Sequence, residues 1–289
     1  MESDKIYNMD GLEIDKIYNM DGLESDKIYN IDCLEGMRRI PTASIDAVVT
    51  SPPYDNLRSY GGVGDGWNFE TFKAIANELT RILKDGGVIV WVVADATIDG
   101  SETGTSFRQA LYFKDECGLN IHDTMLYRKQ NPIPQNHNRY EQCFEYMFVF
   151  SKGKPATFNP IMVKAIHGGE GMNWGGRKTE MDAAQCRRHR KDEIRTVKET
   201  KQHDNIFEYS IGGETTGHPA VFPLKLAEEM VWSWTNESDL VLDPFMGSGT
   251  TAVACIKEKR HFIGFELNKE YYDKACQRID AERRQLTLF

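Results

Sequence analysis

In Leu242-Asp243-Pro244-Phe245-Met246-Gly247-Ser248-Gly249-Thr250-Thr251, an apolar strand ends, a glycine-rich turn follows and a helix begins. Gly247 and Gly249 let the backbone approach a ligand closely, and a helix starting just after them presents free N–H groups. The turn is not a phosphate loop, because Gly-Lys-Ser/Thr is missing. Nor is it the full G-x-G-x-x-G dinucleotide fingerprint, because Ala252 stands where the third glycine belongs. One strand later, Gly264-Phe265-Glu266-Leu267-Asn268 puts an acid where a ribose hydroxyl pair would be held. Together the two segments favour a nucleoside cofactor over a purely structural turn.

Strands and helices alternate around this unit. Ile45–Thr50 is a short β-branched strand ending in Ser51-Pro52-Pro53. From Asn68 a helix is predicted, with Phe72, Ile75, Ala76, Leu79, Ile82 and Leu83 on one face and Asp85-Gly86-Gly87 as its stop. Val88–Val93 is a continuous apolar run, the pattern of a strand buried on both faces of a parallel sheet. A helix over Thr105–Cys117, stopped by Gly118, precedes strands at Asp123–Arg128 and Phe144–Phe150. Residues 152–217 lose the alternation and turn Gly-rich, basic and irregular. It returns with a helix after Pro223, a strand at Leu240–Leu242, a helix over Thr250–Lys259, a strand at Phe262–Phe265 and a helix opened by Asn268. The fold class is therefore α/β, a doubly wound and mostly parallel sheet with helices on both faces.

The second chemical motif is Thr50-Ser51-Pro52-Pro53-Tyr54, at the carboxyl end of a strand, the edge where open α/β sheets bind ligands. An aromatic amine is a poor nucleophile because its lone pair is delocalised into the ring. Acceptors that hold the amine hydrogens free that lone pair to attack. Ser51 has a hydroxyl acceptor, and Pro52 keeps its carbonyl although it has no N–H. Pro52 and Pro53 stiffen the backbone, so the acceptors need little reorganisation. Tyr54 offers a ring for a base to stack on, worth on the order of 1–3 kcal/mol. An ordinary proline turn after a strand is the bland alternative.

The rest of the chain narrows the class. No apolar run approaches the roughly 18 residues of a membrane helix, and the N-terminus lacks a secretory pattern, so a cytoplasmic protein without a membrane partner is expected. The six cysteines show no C-x-x-C spacing, which disfavours zinc or a disulfide framework, and none follows a proline as a 5-carbon cytosine methylase would require. No metal is expected. The net charge of −9 is unevenly spread: residues 151–203 hold twelve Lys and Arg against six Asp and Glu, a local +6 that leaves −15 elsewhere. Such a segment can form a phosphate-facing patch or simply a solvated loop. Near the start, DKIYNMDGLE at 4–13 recurs at 15–24 and, as DKIYNIDCLE, at 26–35. Three ten-residue copies are too short for a solenoid. Residues 1–25 read as a duplicated, loosely ordered segment, with a partner-binding arm as the alternative.

With both motifs in view, the chain resembles the β-group amino-methyltransferases of DNA, in which an S/D-P-P-Y loop precedes an F-x-G-x-G loop, as Ser51–Tyr54 precedes Phe245–Gly249. The resemblance covers about residues 26–280. It implies a Rossmann-like methyltransferase fold, S-adenosylmethionine as cofactor and DNA as partner, with a cognate restriction endonuclease as a further candidate. It implies catalytic roles for Ser51, Pro52, Pro53 and Tyr54. Cofactor contacts are implied for Asp32, Cys33, Phe222, Pro223, Asp243, Phe245, Gly247, Ser248, Gly249, Thr250, Glu266 and Asn268. Arg139-Tyr140-Glu141 and Phe148–Lys152 resemble a strand pair lining a base pocket. The expected division is a catalytic half at 26–151, a target-recognition insertion at 152–215 and a cofactor-binding half at 216–289.

Arg187, Arg188, Arg190 and Lys191 are the expected contacts to the DNA backbone, against a solvated charge run. Serine at the head of the loop resembles the cytosine-N4 enzymes more often than the adenine-N6 ones, so cytosine N4 is the expected target and adenine N6 the alternative. A non-catalytic DNA-binding protein on the same fold is a more remote reading. A nicotinamide oxidoreductase is disfavoured by the missing third glycine.

Overall fold

The computed structural model describes residues 21–53, 67–131, 138–173, 194–210 and 223–286. Strand β1 (Lys27–Tyr29) leads into the short helix α1 (Cys33–Arg38), and β2 (Ile45–Thr50) precedes α2 (Phe69–Ile82) and β3 (Leu83–Val93). A small hairpin, β4 (Thr97–Ile98) and β5 (Ser101–Glu102), comes before α3 (Thr105–Asp115), β6 (Asn120–Lys129) and β7 (Phe144–Ser151). Then follow β8 (Met162–Lys164), β9 (Gly171–Asn173), β10 (Ile194–Thr196), β11 (Thr200–Gln202) and β12 (Ile206–Tyr209). The chain ends through α4 (Leu224–Trp234), β13 (Leu240–Asp243), α5 (Thr250–Lys257), β14 (His261–Phe265) and α6 (Lys269–Leu286).

Two compact units result: Met1–Asn159 with Asn205–Phe289, and Pro160–Asp204. The larger is built on an eight-stranded sheet in the order β1-β14-β13-β2-β3-β7-β6-β12. Every neighbouring pair is parallel except those made by β7, which runs against β3 and β6. This is the mixed, mostly parallel sheet that the alternating pattern predicts. Val88–Val93 lies at its centre, 2% exposed or less throughout, which explains the unbroken apolar run. Trp91 meets Phe72 and Phe113 edge-on, with ring centroids 5.9 and 5.3 Å away. That face is covered by residues of α1, α2 and α3, and the other by residues of α4, α5 and α6. Burying one such large side chain contributes roughly 1.5–3 kcal/mol.

The helix starts follow the sequence. Asn68 accepts from the N–H groups of Glu70 and Thr71 at 2.9 and 3.0 Å, and Asn268 does the same for Glu270 and Tyr271 at 2.9 and 3.3 Å. Each cap contributes about 1 kcal/mol.

Three expectations need correction. The stop at Asp85-Gly86-Gly87 is misplaced: α2 ends at Ile82, and Leu83 is already extended and paired with Ile45. The glycines serve a register shift inside β3, where Gly86 takes φ +80° and a Cβ on Gly87 would lie 2.8 Å from the Leu83 side chain. Loose order through residue 25 does not hold for Leu23, which is 2% exposed in the apolar cluster. Residues 1–20 lie outside the described part. Irregularity throughout 152–217 also fails, because β12 pairs in parallel with β6 in the main sheet.

The described residues of the Pro160–Asp204 unit pair as a two-stranded ribbon. Met162–Lys164 pairs with Thr200–Gln202 and, farther out, Gly171–Asn173 pairs with Ile194–Thr196. Between the two pairings, Val197 donates to Glu170 O at 2.9 Å and Gly169 to Val197 O at 3.0 Å. No described helix is long and apolar enough to cross a membrane.

Candidate active site

The two motifs lie almost two hundred residues apart in the chain, yet their strands are neighbours. In β13 and β2, Val241 pairs with Ala47 and Leu242 with Val48. Both strands point the same way, so Ser51-Pro52-Pro53 and Pro244–Gly249 leave the same edge of the sheet. The helix after β2 packs on one face and the helix after β13 on the other. A crevice opens where consecutive crossovers part in this way, and α/β sheets take ligands there.

Hydrogen bonds join the two turns at their roots. The Thr50 hydroxyl donates to Asp243 Oδ1 at 2.6 Å, and the Thr251 hydroxyl donates to Asp243 Oδ2 at 2.7 Å. Phe245 N–H also donates to Oδ1, at 3.0 Å. Thr251 Oγ1 stands 3.3 Å from Val49 O, which ties α5 back to β2. Thr50, Asp243 and Thr251 are all 2% exposed or less. Burial pushes the Asp243 carboxyl up to about 6, against the pull of its three donors. Beside it, Ser51 and Pro53 are half-buried and Pro52 is buried. Phe245 packs edge-on against Trp67 and Trp91, at 5.5 and 6.3 Å.

The glycine turn is held open by backbone geometry. Gly247 has φ +54°. Gly249 has φ +85°, and a Cβ there would stand 3.1 Å from Ala275 Cβ on α6. Gly247 N–H donates to Glu266 Oε2 at 2.8 Å, and Asn268 N–H donates to Oε1 at 2.7 Å. Burial raises the Glu266 carboxyl, and these N–H donors oppose the rise. From α6, Arg278 donates to Ser248 O at 2.7 Å and reaches the hydroxyls of Ser248 and Thr250 at 3.1 and 3.3 Å.

The end of β1 lies beside the end of β14. Asn30 Nδ2 donates to Glu266 O and Leu267 O at 2.8 and 3.0 Å, and Glu266 N–H donates to Tyr29 O at 3.0 Å. Asp32 caps α1, accepting from Leu34 and Glu35 N–H at 2.9 and 3.2 Å. Burial, reinforced by the Asp32 charge, pushes the Cys33 thiol up to about 12, so it is no nucleophile at neutral pH.

Ser51, Pro52 and Pro53 thus follow Thr50, which is bonded to Asp243 across the β2–β13 seam, and Phe245, Gly247, Ser248, Gly249 and Thr250 follow Asp243. Asp32, Cys33, Glu266 and Asn268 gather at the adjoining β1 and β14 ends. Pro223 opens α4 with φ −58° and ψ 136°. Tyr54, Phe222, Arg187, Arg188, Arg190 and Lys191 lie outside the described residues. Asp243 faces inward to the two threonines, so its carboxylate builds the seam instead of lining an open pocket. Sequence reading missed Thr50, Thr251, Asn30 and Arg278 as builders of this edge. A hydroxyl or cation at a strand or helix end carries no local signal of a partner from another element. Among the described residues no three His, Cys, Asp or Glu side chains gather to hold a metal ion.

Residues 45–277 match the family profile N6_N4_Mtase, described as DNA methylase. The orphan methyltransferase M.BamHII of Bacillus amyloliquefaciens is 48% identical over 244 residues, 82% of this chain and 89% of its own. Among solved structures, the M1.HpyAVI–SAM complex is 28% identical with a TM-score of 0.55, covering 87% of this chain and 98% of its own. The cytosine-N4-specific PvuII DNA methyltransferase shares the fold at a TM-score of 0.64 and 22% identity, over 90% of this chain and 91% of its own.

Proposed function

This chain belongs to the N6_N4_Mtase family of DNA methylases, the amino-methyltransferases of the cytosine-N4 and adenine-N6 type, and from that membership we propose that it methylates the N4 amine of cytosine at specific sites in DNA. The observation that carries the reading is the seam itself. Thr50 and Thr251 share the Asp243 carboxylate, so the Ser51-Pro52-Pro53 turn and the Gly247–Gly249 turn emerge side by side. One end of that seam suits an extruded base and the other a nucleoside.

S-adenosylmethionine, present in the M1.HpyAVI complex, would supply an electrophilic sulfonium methyl. The residues at the glycine turn suit it: Gly247 and Gly249 keep backbones that few side chains tolerate, and a Cβ on Gly249 would crowd Ala275 of α6 more tightly than ordinary van der Waals contact. In this reading Gly247, Ser248, Gly249 and Thr250 form the cradle and Phe245 walls it. Glu266 faces the ribose, Asp32, Cys33 and Asn268 flank the adenosine, and Phe222 and Pro223 close over the amino-acid end. The Ser51 hydroxyl and the Pro52 carbonyl accept the hydrogens of the target amine and aim its lone pair. Tyr54 stacks on the ring of a base turned out of the duplex, which costs a few kcal/mol. Arg187, Arg188, Arg190 and Lys191 neutralise phosphates, so binding should weaken steeply with salt.

Serine at the head of the loop and the cytosine-N4 relative of like fold favour cytosine over adenine N6. The 48% relative is described as an orphan methyltransferase, which supports an enzyme that works without a paired endonuclease. The test is mass spectrometry of nucleosides from DNA incubated with the protein and labelled S-adenosylmethionine. N4-methylcytosine is the expected product. N6-methyladenine would replace the target base, and unmodified DNA would leave the non-catalytic reading in its place.

A further inference from the structure

We propose that Thr50 is a positioning residue for methyl transfer: through Asp243, its hydroxyl sets how far the Ser51-Pro52 turn stands from the Gly247–Gly249 turn. The inference rests on the proposed methyltransferase reading and adds to it a residue one position outside the catalytic loop.

Thr50 is the last residue of β2, fully buried, and its chain neighbour is Ser51. Asp243 is the last residue of β13. The pairing of the two strands ends at Leu242 and Val48, so beyond that point the ladder no longer governs their separation. The Thr50 hydroxyl, 2.6 Å from Asp243 Oδ1, takes over as the link. The same Oδ1 accepts Phe245 N–H at 3.0 Å, two residues before Gly247, and Oδ2 holds Thr251 on α5. One carboxylate therefore fixes both the base-side turn and the first residues of the cofactor-side turn. Among the described residues its charge bears on Glu266 at the end of β14 and on Cys255 on α5. Two hydroxyls and one amide N–H donate to it.

Displacement reactions are steep in geometry. A misplacement of about 1 Å can cost on the order of a hundredfold in rate. Thr50→Val keeps the shape of the side chain and removes its donor. The turn that holds the amine is then free to shift against the turn that holds the cofactor, while each turn keeps its own contacts.

The test compares Thr50→Val and Thr50→Ser with the wild type by three measurements: S-adenosylmethionine affinity by calorimetry, kcat and KM for DNA methylation, and the thermal midpoint. For Thr50→Val the expected result is a fall in kcat of about ten- to a hundredfold with cofactor Kd within about threefold of wild type. Thr50→Ser, which keeps the donor, should recover kcat to within about threefold. Equal losses of kcat and cofactor affinity would make Thr50 a structural residue and overturn the proposal. So would a Thr50→Ser variant as slow as Thr50→Val, or a Thr50→Val variant with unchanged kcat. Should Thr50→Val fail to fold, Thr50→Ala against Thr50→Ser asks the same question of the same hydroxyl, with the same two outcomes. A wild-type protein that methylates no DNA would instead refute the reading on which the proposal rests.

Discussion

Ionising Asp243 should cost this protein stability, and an asparagine in its place should remove that cost. The carboxyl is 2% exposed, and burial lifts it from 3.8 to about 6. Between those two values the folded state binds the proton more tightly than the unfolded chain does. Stability is therefore fully present below 3.8 and is lost as pH rises through about 6. At ~1.4 kcal/mol per pH unit the whole loss is about 3 kcal/mol, and about half of it falls between pH 5 and pH 8. Asp243→Asn keeps an acceptor for Thr50 and Phe245, and the Thr251 hydroxyl can turn to accept from the new amide. Glu266 and Asp239 are also raised by burial, so both proteins share a background slope of the same sign. The readout is thus the difference between wild type and Asp243→Asn in urea denaturation across that pH range. The gap should shift in favour of the variant by about 1–2 kcal/mol as pH rises. Parallel stability curves would mean that Asp243 is not held as a buried, reluctantly ionised acid.

Three further outcomes are expected. Gly36→Ala would drive a Cβ to 2.3–2.6 Å from the ring of Phe265, which is fully buried, so the thermal midpoint should fall by the equivalent of about 1–3 kcal/mol; an unchanged midpoint contradicts the tight α1–β14 packing. Gly247→Val combines a positive φ with a β-branched side chain and should abolish S-adenosylmethionine binding in a titration, whereas normal binding would remove the cradle from this turn. Tyr54→Ala should lower turnover about ten- to a hundredfold through lost stacking and leave cofactor affinity nearly intact, and a matched loss of both would argue against its role at the base.

What could be read from the residues has a common physical origin. Asn68 and Asn268 cap the helices that begin beside them because a cap acts within three residues. Val88–Val93 announced a central strand because burial on both faces demands an unbroken apolar run. The S-P-P-Y and F-x-G-x-G motifs stood out because they are contiguous and constrain their own backbone. Where a segment had two local options, the reading slipped. Gly86-Gly87 looked like a helix stop, but the partner strand recruits Leu83 and turns the glycines into a bulge.

By itself, the sequence determined the α/β alternation, the two turns and the chemistry each could offer, since all of these follow from neighbours along the chain. It could not say that β13 lies against β2, nor that Asp243 spends its carboxylate on Thr50, 193 residues away. Strand order is set by which faces bury together, and only the folded sheet decides that. The same holds for Arg278, whose grip on Ser248 depends on how α6 settles beside α5. Tertiary packing therefore decided which acid was sealed within the seam and which was left at its rim.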